Sequence, residues 1–204
     1  MENAMWEDRF NRPDYVFGTE PAAALRDHAA WLAPGARALA VADGEGRNSV
    51  FMAERGMHVT AADYAPSALA KARALANARG VAVDFVQADL LADWPADWAG
   101  AFDLVAGIFI QFTGPTARAA MFARMATCLR PGGVLFLHGY RPEQLAYGTG
   151  GPRAVENLYT EAMLRAAFPG WQVALCRAYD REIQEGSGHV GMSALIDFIA
   201  RKPG

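Results

Sequence analysis

The stretch Arg37-Ala38-Leu39-Ala40-Val41-Ala42-Asp43-Gly44-Glu45-Gly46-Arg47-Asn48-Ser49-Val50 decides the fold. Arg37 to Ala42 is a short apolar run of the kind that forms a buried strand. Asp43 to Gly46 supplies a tight turn, and a helix reads from Arg47 to Arg55, stopping at Gly56. The glycines let a ligand come close to the backbone, and the helix start offers unpaired N–H donors to a negative group.

The same alternation continues outward from this unit. His58 to Ala62 is the next strand, closed by Asp63. Pro66 to Arg79 is an alanine-rich helix ending at Gly80, and Val81 to Gln87 is a third strand leading to Ala88-Asp89. Phe102 to Phe109, Pro115 to Leu129 and Val134 to His138 read as strand, helix, strand. Upstream, Thr19 to Ala33 reads as a helix with Pro21 in its first turn. Downstream, a helix from Thr160 to Phe168 precedes two strands, Trp171 to Tyr179 and Val190 to Ala200, joined by a turn containing Gly186-Ser187-Gly188. The expected architecture is α/β: a Rossmann-like, doubly wound sheet of about seven strands. It is mostly parallel, with an antiparallel strand from the C-terminal hairpin and helices on both faces.

Composition narrows the function classes. In 204 residues, 19 Lys plus Arg stand against 22 Asp plus Glu, a formal net charge of −3. This near-neutral balance disfavours generic nucleic-acid binding. No stretch reaches the ~18 uninterrupted apolar residues of a spanning helix. Glu2, Glu7 and Asp8 do not fit the basic-then-apolar layout of a secretory signal, so no membrane partner and a cytoplasmic setting are expected. With 52% hydrophobic and 20% charged residues, residues 1–204 are expected to fold as one domain, with 1–36 as an N-terminal cap segment. Cys128 and Cys176 sit among apolar neighbours and read as free structural thiols. His28, His58, His138 and His189 are scattered, and no metal site is expected from their spacing.

In open parallel sheets the ligand lies beyond the carboxyl ends of the strands, which confines the search to a few loops. Asp63 falls nineteen residues past Gly44, the spacing of the acid that accepts hydrogen bonds from ribose hydroxyls in nucleoside-binding folds. Pro66 makes Asp63 an unnatural helix cap. Asp89, after the third strand, is placed either to accept from an exocyclic amine or to cap a helix.

Taken with Phe102-Asp103-Leu104-Val105 and Leu129-Arg130-Pro131-Gly132-Gly133, these loops resemble the class I S-adenosylmethionine-dependent methyltransferases over about Arg37 to Tyr140. Trp6 to Phe10, Tyr15 to Pro21, Gly44 to Asn48 and Pro142 to Leu145 further resemble a small bacterial group likened to tellurite-resistance and thiopurine methyltransferases. The resemblance implies S-adenosylmethionine as cofactor, S-adenosylhomocysteine as product, and methyl transfer to a small-molecule acceptor by in-line displacement. It places Gly44 and Gly46 near the methionine part, with Arg47 and Asn48 in the same loop, Asp63 on the ribose and Tyr64 beside the adenine. Asp89 and Leu90 fall at the adenine edge, and Gly107 and Ile108 beside the methyl. The chain departs from the pattern at Ala40 and Ala42, leaving Asp43 or Glu45 to supply the first loop's carboxylate.

Acceptor residues are sought in what remains. Tyr140 to Glu156 is about 17 residues, longer than the ordinary connection of about 4–6, and reads as a substrate loop or lid. Trp6, Arg9, Tyr15 and Phe17 precede the first helix, with Arg9 suited to a carboxylate of the cofactor. Gln111 and Phe112 lie just beyond the fourth strand. His138, Tyr140 and His189 are candidate proton acceptors, although a lone histidine is more often hydrogen-bonded structure. Two other readings stay open. A nicotinamide-dependent oxidoreductase shares the glycine turn and distant acid, but Ser49 stands where that fingerprint wants Gly or Ala. A non-catalytic protein that binds the cofactor on the same fold is the other.

Overall fold

A computed structural model describes residues 2–92 and 94–204. Seven strands among the described residues form one mixed sheet in the order β3-β2-β1-β4-β5-β7-β6. They are β1 (Arg37–Val41), β2 (His58–Asp63), β3 (Asp84–Gln87), β4 (Phe102–Ile108), β5 (Leu129–Tyr140), β6 (Gln172–Glu185) and β7 (His189–Arg201). The helices are α1 (Glu2–Phe10), α2 (Ala23–Asp27), α3 (Arg47–Glu54), α4 (Pro66–Arg79), α5 (Pro115–Cys128), α6 (Gln144–Tyr147) and α7 (Glu161–Ala167). The expected sheet, mostly parallel with a final hairpin, is the one observed, and β7 runs antiparallel to β5. No helix among the described residues is long and apolar enough to cross a membrane.

The chain divides into two compact units, residues 1–94 with 185–188, and residues 95–184 with 189–204. In the first, β1 pairs parallel with β2 from Arg37↔His58 to Val41↔Ala62, and β2 with β3 from Thr60↔Asp84 to Asp63↔Gln87. Apolar residues at every position from Ala38 to Val41 bury β1. Helix α4 has no side-chain cap of its own at Ala65. Its first turn is capped instead from α1, where Glu7 accepts the Ser67 N–H at 3.1 Å and also the Ser67 hydroxyl.

Upstream of β1 the structure differs from the sequence reading. The helix expected over Thr19 to Ala33 is only α2 followed by a single 3₁₀ turn, Ala29–Trp31. The Ala22 N–H donates to Asn48 Oδ1 at 3.0 Å and the Ala23 N–H to Glu185 Oε1 at 3.0 Å. These buried acceptors hold residues 19–22 against the unit and delay the helix start. His28, at φ −108°, then ends it.

In the second unit β4 pairs parallel with β5, and β5 pairs with β7 from Val134↔Arg201 to Tyr140↔Leu195. Strand β5 begins earlier than Val134, and the Pro131-Gly132-Gly133 turn becomes a register shift opposite Phe102 and Leu104. Thr160 caps α7 by accepting the Met163 N–H at 3.1 Å. The stretch 140–156 is not one open loop. It contains α6, and buried Gln144 ties it to β7 by accepting the Ala194 N–H at 2.8 Å.

Candidate functional site

Strands β1 and β2 end in adjacent loops that share hydrogen bonds. Asp63 Oδ2 accepts the Gly44 N–H at 2.7 Å, while Oδ1 accepts the Ala65 N–H at 2.9 Å. Burial raises the Asp63 pKa, against the pull of the Ala65, Gly44 and Tyr64 N–H groups. A carboxylate offers about four lone-pair sites, so its capacity exceeds these bonds. Tyr64, immediately after it, is 38% exposed. Asp43 accepts the Ser49 hydroxyl at 2.5 Å and the Ser49 N–H at 3.3 Å, holding the start of α3. Burial pushes the Asp43 carboxyl up to about 7; Ser49 opposes the shift and the neighbouring Asp63 adds to it. Asp89 turns its own loop by accepting the Leu91 N–H at 3.0 Å, and among the described residues no α-helix follows before β4 for it to cap.

Backbone geometry explains the first loop's unusual residues. Ala42 sits at φ 50°, a left-handed conformation that glycine takes without strain and that costs alanine about 1 kcal/mol or more. A Cβ on Gly46 would stand 2.7 Å from Ala72 Cβ of α4, and one on Gly44 would stand 3.3 Å from the Phe10 ring. The space these glycines leave is filled by helices α4 and α1. Packing against these helices is therefore one reason the two positions are glycine.

The second unit gathers a different set of groups. His138 on β5 and Asp197 on β7 are register partners, with His138 Nδ1 2.6 Å from Asp197 Oδ1. The Tyr179 hydroxyl donates to the same Oδ1 at 3.2 Å. Phe109, just past β4, has a positive φ of 58° and its N–H donates to the His138 carbonyl at 2.8 Å. Its ring centroid lies 4.5 Å from His138, 4.9 Å from Tyr140 and 4.3 Å from His189.

Residues 38–133 match the profile of the methyltransferase domain family. A ubiquinone biosynthesis O-methyltransferase of Xylella fastidiosa (strain 9a5c) is 41% identical over 106 residues, 50% of this chain and 41% of that protein. Over residues 38–133 the chain is similar to the methyltransferase domain family. Among solved structures, one described as conversion of a disulfide bond into a thioacetal group during echinomycin biosynthesis superposes with a TM-score of 0.80. It is 20% identical and covers 100% of this chain and 93% of its own. Magnesium protoporphyrin IX methyltransferase of Synechocystis PCC 6803, solved with bound S-adenosylhomocysteine, superposes at 0.72 with 17% identity, covering 99% and 100%. At those identities the structures establish the fold. The chain spans about two fifths of the curated relative's length.

The groups at the ends of β1 and β2 would fit S-adenosylmethionine: a buried acid held at the end of β2, an exposed ring beside it, and a second carboxyl in the first loop. Several expected site residues have other tasks. Arg47 is buried and pairs with Glu185 at 2.7 Å, and the Asn48 side-chain oxygen holds Ala22. Glu45 accepts the Val16 N–H at 2.8 Å and pairs with Lys71 at 2.6 Å, which leaves Asp43 as the loop's candidate carboxylate. Arg9 lies over the rings of Trp6 and Phe17, 5.1 and 5.0 Å from their centroids. The Tyr15 hydroxyl donates to the Lys71 carbonyl at 3.0 Å and its ring packs against Val50 and Leu75.

In the second unit Gln111 has a structural task. It donates to the Tyr140 carbonyl at 2.8 Å and accepts the Tyr140 N–H at 2.5 Å, bonding as a backbone amide would. Gly107 is enclosed by Ile110, Leu137 and Met125. Ile108 and Leu90 are buried, and Phe112 is half-buried. Sequence reasoning missed Phe109, Tyr179 and Asp197. Only Asp197 left a signal, as an acid inside the apolar run Ala194 to Ala200.

Proposed function

We propose that the chain transfers a methyl group from S-adenosylmethionine to a small-molecule acceptor. When bound, the cofactor supplies a methyl carbon on a sulfonium sulfur. Asp63 accepts hydrogen bonds from the ribose hydroxyls, the Tyr64 ring packs beside the adenine, and Asp89 with the Leu90 N–H meets its edge. Asp43, ionised, meets the ammonium of the methionine part. Proximity and alignment of donor and acceptor account for about 7–11 kcal/mol of such a reaction. We read the two units as one domain in a cytoplasmic setting, in keeping with free Cys128 and Cys176. The near-neutral charge supports a small acceptor over a nucleic acid.

The observation that carries this reading is the Asp63 carboxylate, fixed by Gly44 and Ala65 at the end of β2 in a methyltransferase domain. Calorimetric titration with S-adenosylhomocysteine and with NADPH tests it. Binding of the former alone is expected, and binding of NADPH alone would overturn it.

A further inference from the structure

We infer that α1 is a clamp on the cofactor loops: Phe10 seats on Gly44 and Glu7 latches onto Ser67, fixing the turn and the helix start between which Asp63 is held. The inference deepens the methyl-transfer reading and rests on it for the identity of the ligand that Asp63 meets.

The two N–H groups that fix the ends of the Asp63 carboxylate belong to Gly44 and Ala65. Phe10 of α1 packs at this grip. Its ring Cζ lies 3.3 Å from where a Cβ on Gly44 would stand, and the side chain shares one buried cluster with Val16, Ala65 and Ala68. Trp6 stacks on the same ring, centroids 5.6 Å apart, and Phe17 meets it edge-on at 6.1 Å. Glu7 accepts the Ser67 N–H at 3.1 Å and the Ser67 hydroxyl, two residues beyond Ala65. After burial, and against the N–H groups that bond to it, the Glu7 charge also pushes the Asp63 pKa up, so the latch lies within electrostatic reach of the acid.

The rest of the N-terminal segment is pinned independently. Lys71 Nζ donates to the Asp14 carbonyl at 2.8 Å, the Tyr15 hydroxyl donates to the Lys71 carbonyl at 3.0 Å, and Glu45 accepts the Val16 N–H at 2.8 Å. Residues 11–14 are exposed and form the joint between this pinned stretch and α1. At nine residues α1 is short of the about 12–15 at which an isolated helix becomes even marginally stable in water, so its order comes from the Phe10 and Glu7 contacts. It can therefore leave α4 while residues 15–17 stay in place, which makes its docking a two-state element. When α1 leaves, the Gly44 turn loses the ring packed on it and the first turn of α4 loses its acceptor. The donors that orient Asp63 are then held by less. A ligand that bonds to Asp63 favours the docked state, and docking strengthens that ligand by the same factor. Phe10 and Glu7 are thus positioning residues that act through Gly44, Ala65 and Asp63.

Hydrogen exchange of the full chain, with and without saturating S-adenosylhomocysteine, tests the clamp. The amides of residues 6–11 are expected to exchange about 5- to 150-fold more slowly with the ligand, while those of α7 are unchanged. The double variant Glu7→Ala, Phe10→Ala is expected to lose S-adenosylhomocysteine affinity by the same factor. Glu7→Gln keeps an oxygen for the Ser67 N–H and is expected to stay within twofold of wild type. A helix with only a structural task would lower the urea midpoint when undocked but would leave its own exchange indifferent to the ligand. Unchanged α1 exchange in wild type that binds S-adenosylhomocysteine overturns the clamp and leaves the methyl-transfer reading standing, whether or not the double variant folds. Wild-type affinity in a folded double variant overturns it too. Wild type that binds no S-adenosylhomocysteine refutes the methyl-transfer reading. NADPH is then the probe: slowing of the same amides keeps the clamp, and no slowing overturns it.

Discussion

Asp63 Oδ2 accepts the Gly44 N–H at 2.7 Å, so the acid assigned to the ribose also holds the turn of the first loop. Asp63→Ala is therefore expected to act twice. Loss of the ribose bonds weakens S-adenosylhomocysteine by about 1–3 kcal/mol, and loss of the Gly44 and Ala65 acceptors lowers stability by a similar amount. Calorimetric affinity and the ligand-free urea midpoint separate the two. An unchanged affinity with a lowered midpoint would leave Asp63 a structural residue only.

Asp43 should give stability a pH dependence. Its folded pKa of about 7 lies above the ordinary 3.8. The folded state therefore keeps a proton that the unfolded state loses. The contribution is full below about pH 4 and is lost as pH rises through 7, by at most about 4 kcal/mol. Urea midpoints from pH 4 to 7.5 should fall more steeply for wild type than for Asp43→Asn. If Asp43 meets the ammonium of the cofactor, binding S-adenosylhomocysteine at pH 6 also releases a proton. Calorimetry in buffers of different ionisation enthalpy reads that release.

Arg47 and Glu185 form a buried pair in which Glu185 also accepts the Ala23 N–H. Removing one partner strands the other charge, so Glu185→Ala is expected to cost about 3–5 kcal/mol in urea unfolding. Arg47→Met with Glu185→Met should be less damaging than Glu185→Ala despite changing two residues.

Gly46 and Ala42 of the first loop should respond in opposite directions. Gly46→Ala drives a Cβ to 2.7 Å from Ala72 at φ 89°, and a loss of about 1–3 kcal/mol is expected. Ala42→Gly relieves the strain at φ 50° and is expected to leave the melting temperature unchanged or raised. A lowered melting temperature for Ala42→Gly would place the strain elsewhere.

The strand and helix rhythm was legible because its signals are local. Pro66 and Gly80 bound α4, and Gly186-Ser187-Gly188 separates β6 from β7, as their residue types require. The spacing from Gly44 to Asp63 likewise depends on one βαβ unit, and the structure joins the two by a hydrogen bond. What the sequence does not show is set by distant partners. Ala72 packs where a Cβ on Gly46 would stand. Gln111 bonds to the backbone of Tyr140. Helix α2 is short because Asn48 and Glu185 take its first N–H groups. The His138 and Asp197 pair exists only once the register of β5 against β7 is known.

The Val16 carbonyl accepts the N–H groups of both Ser187 and Gly188, each at 2.9 Å, and Glu185 secures Arg47 nearby. In chain time these partners are far apart. A ribosome that has made all three strands of the first unit has yet to make the turn that fastens residues 16–18. Loop closure over such a separation is slow relative to local helix formation. Residues 16–18 thus gain their last partners only when the turn is made, and a chain cut before residue 185 is expected to expose Phe17 and Arg47 to solvent and proteases.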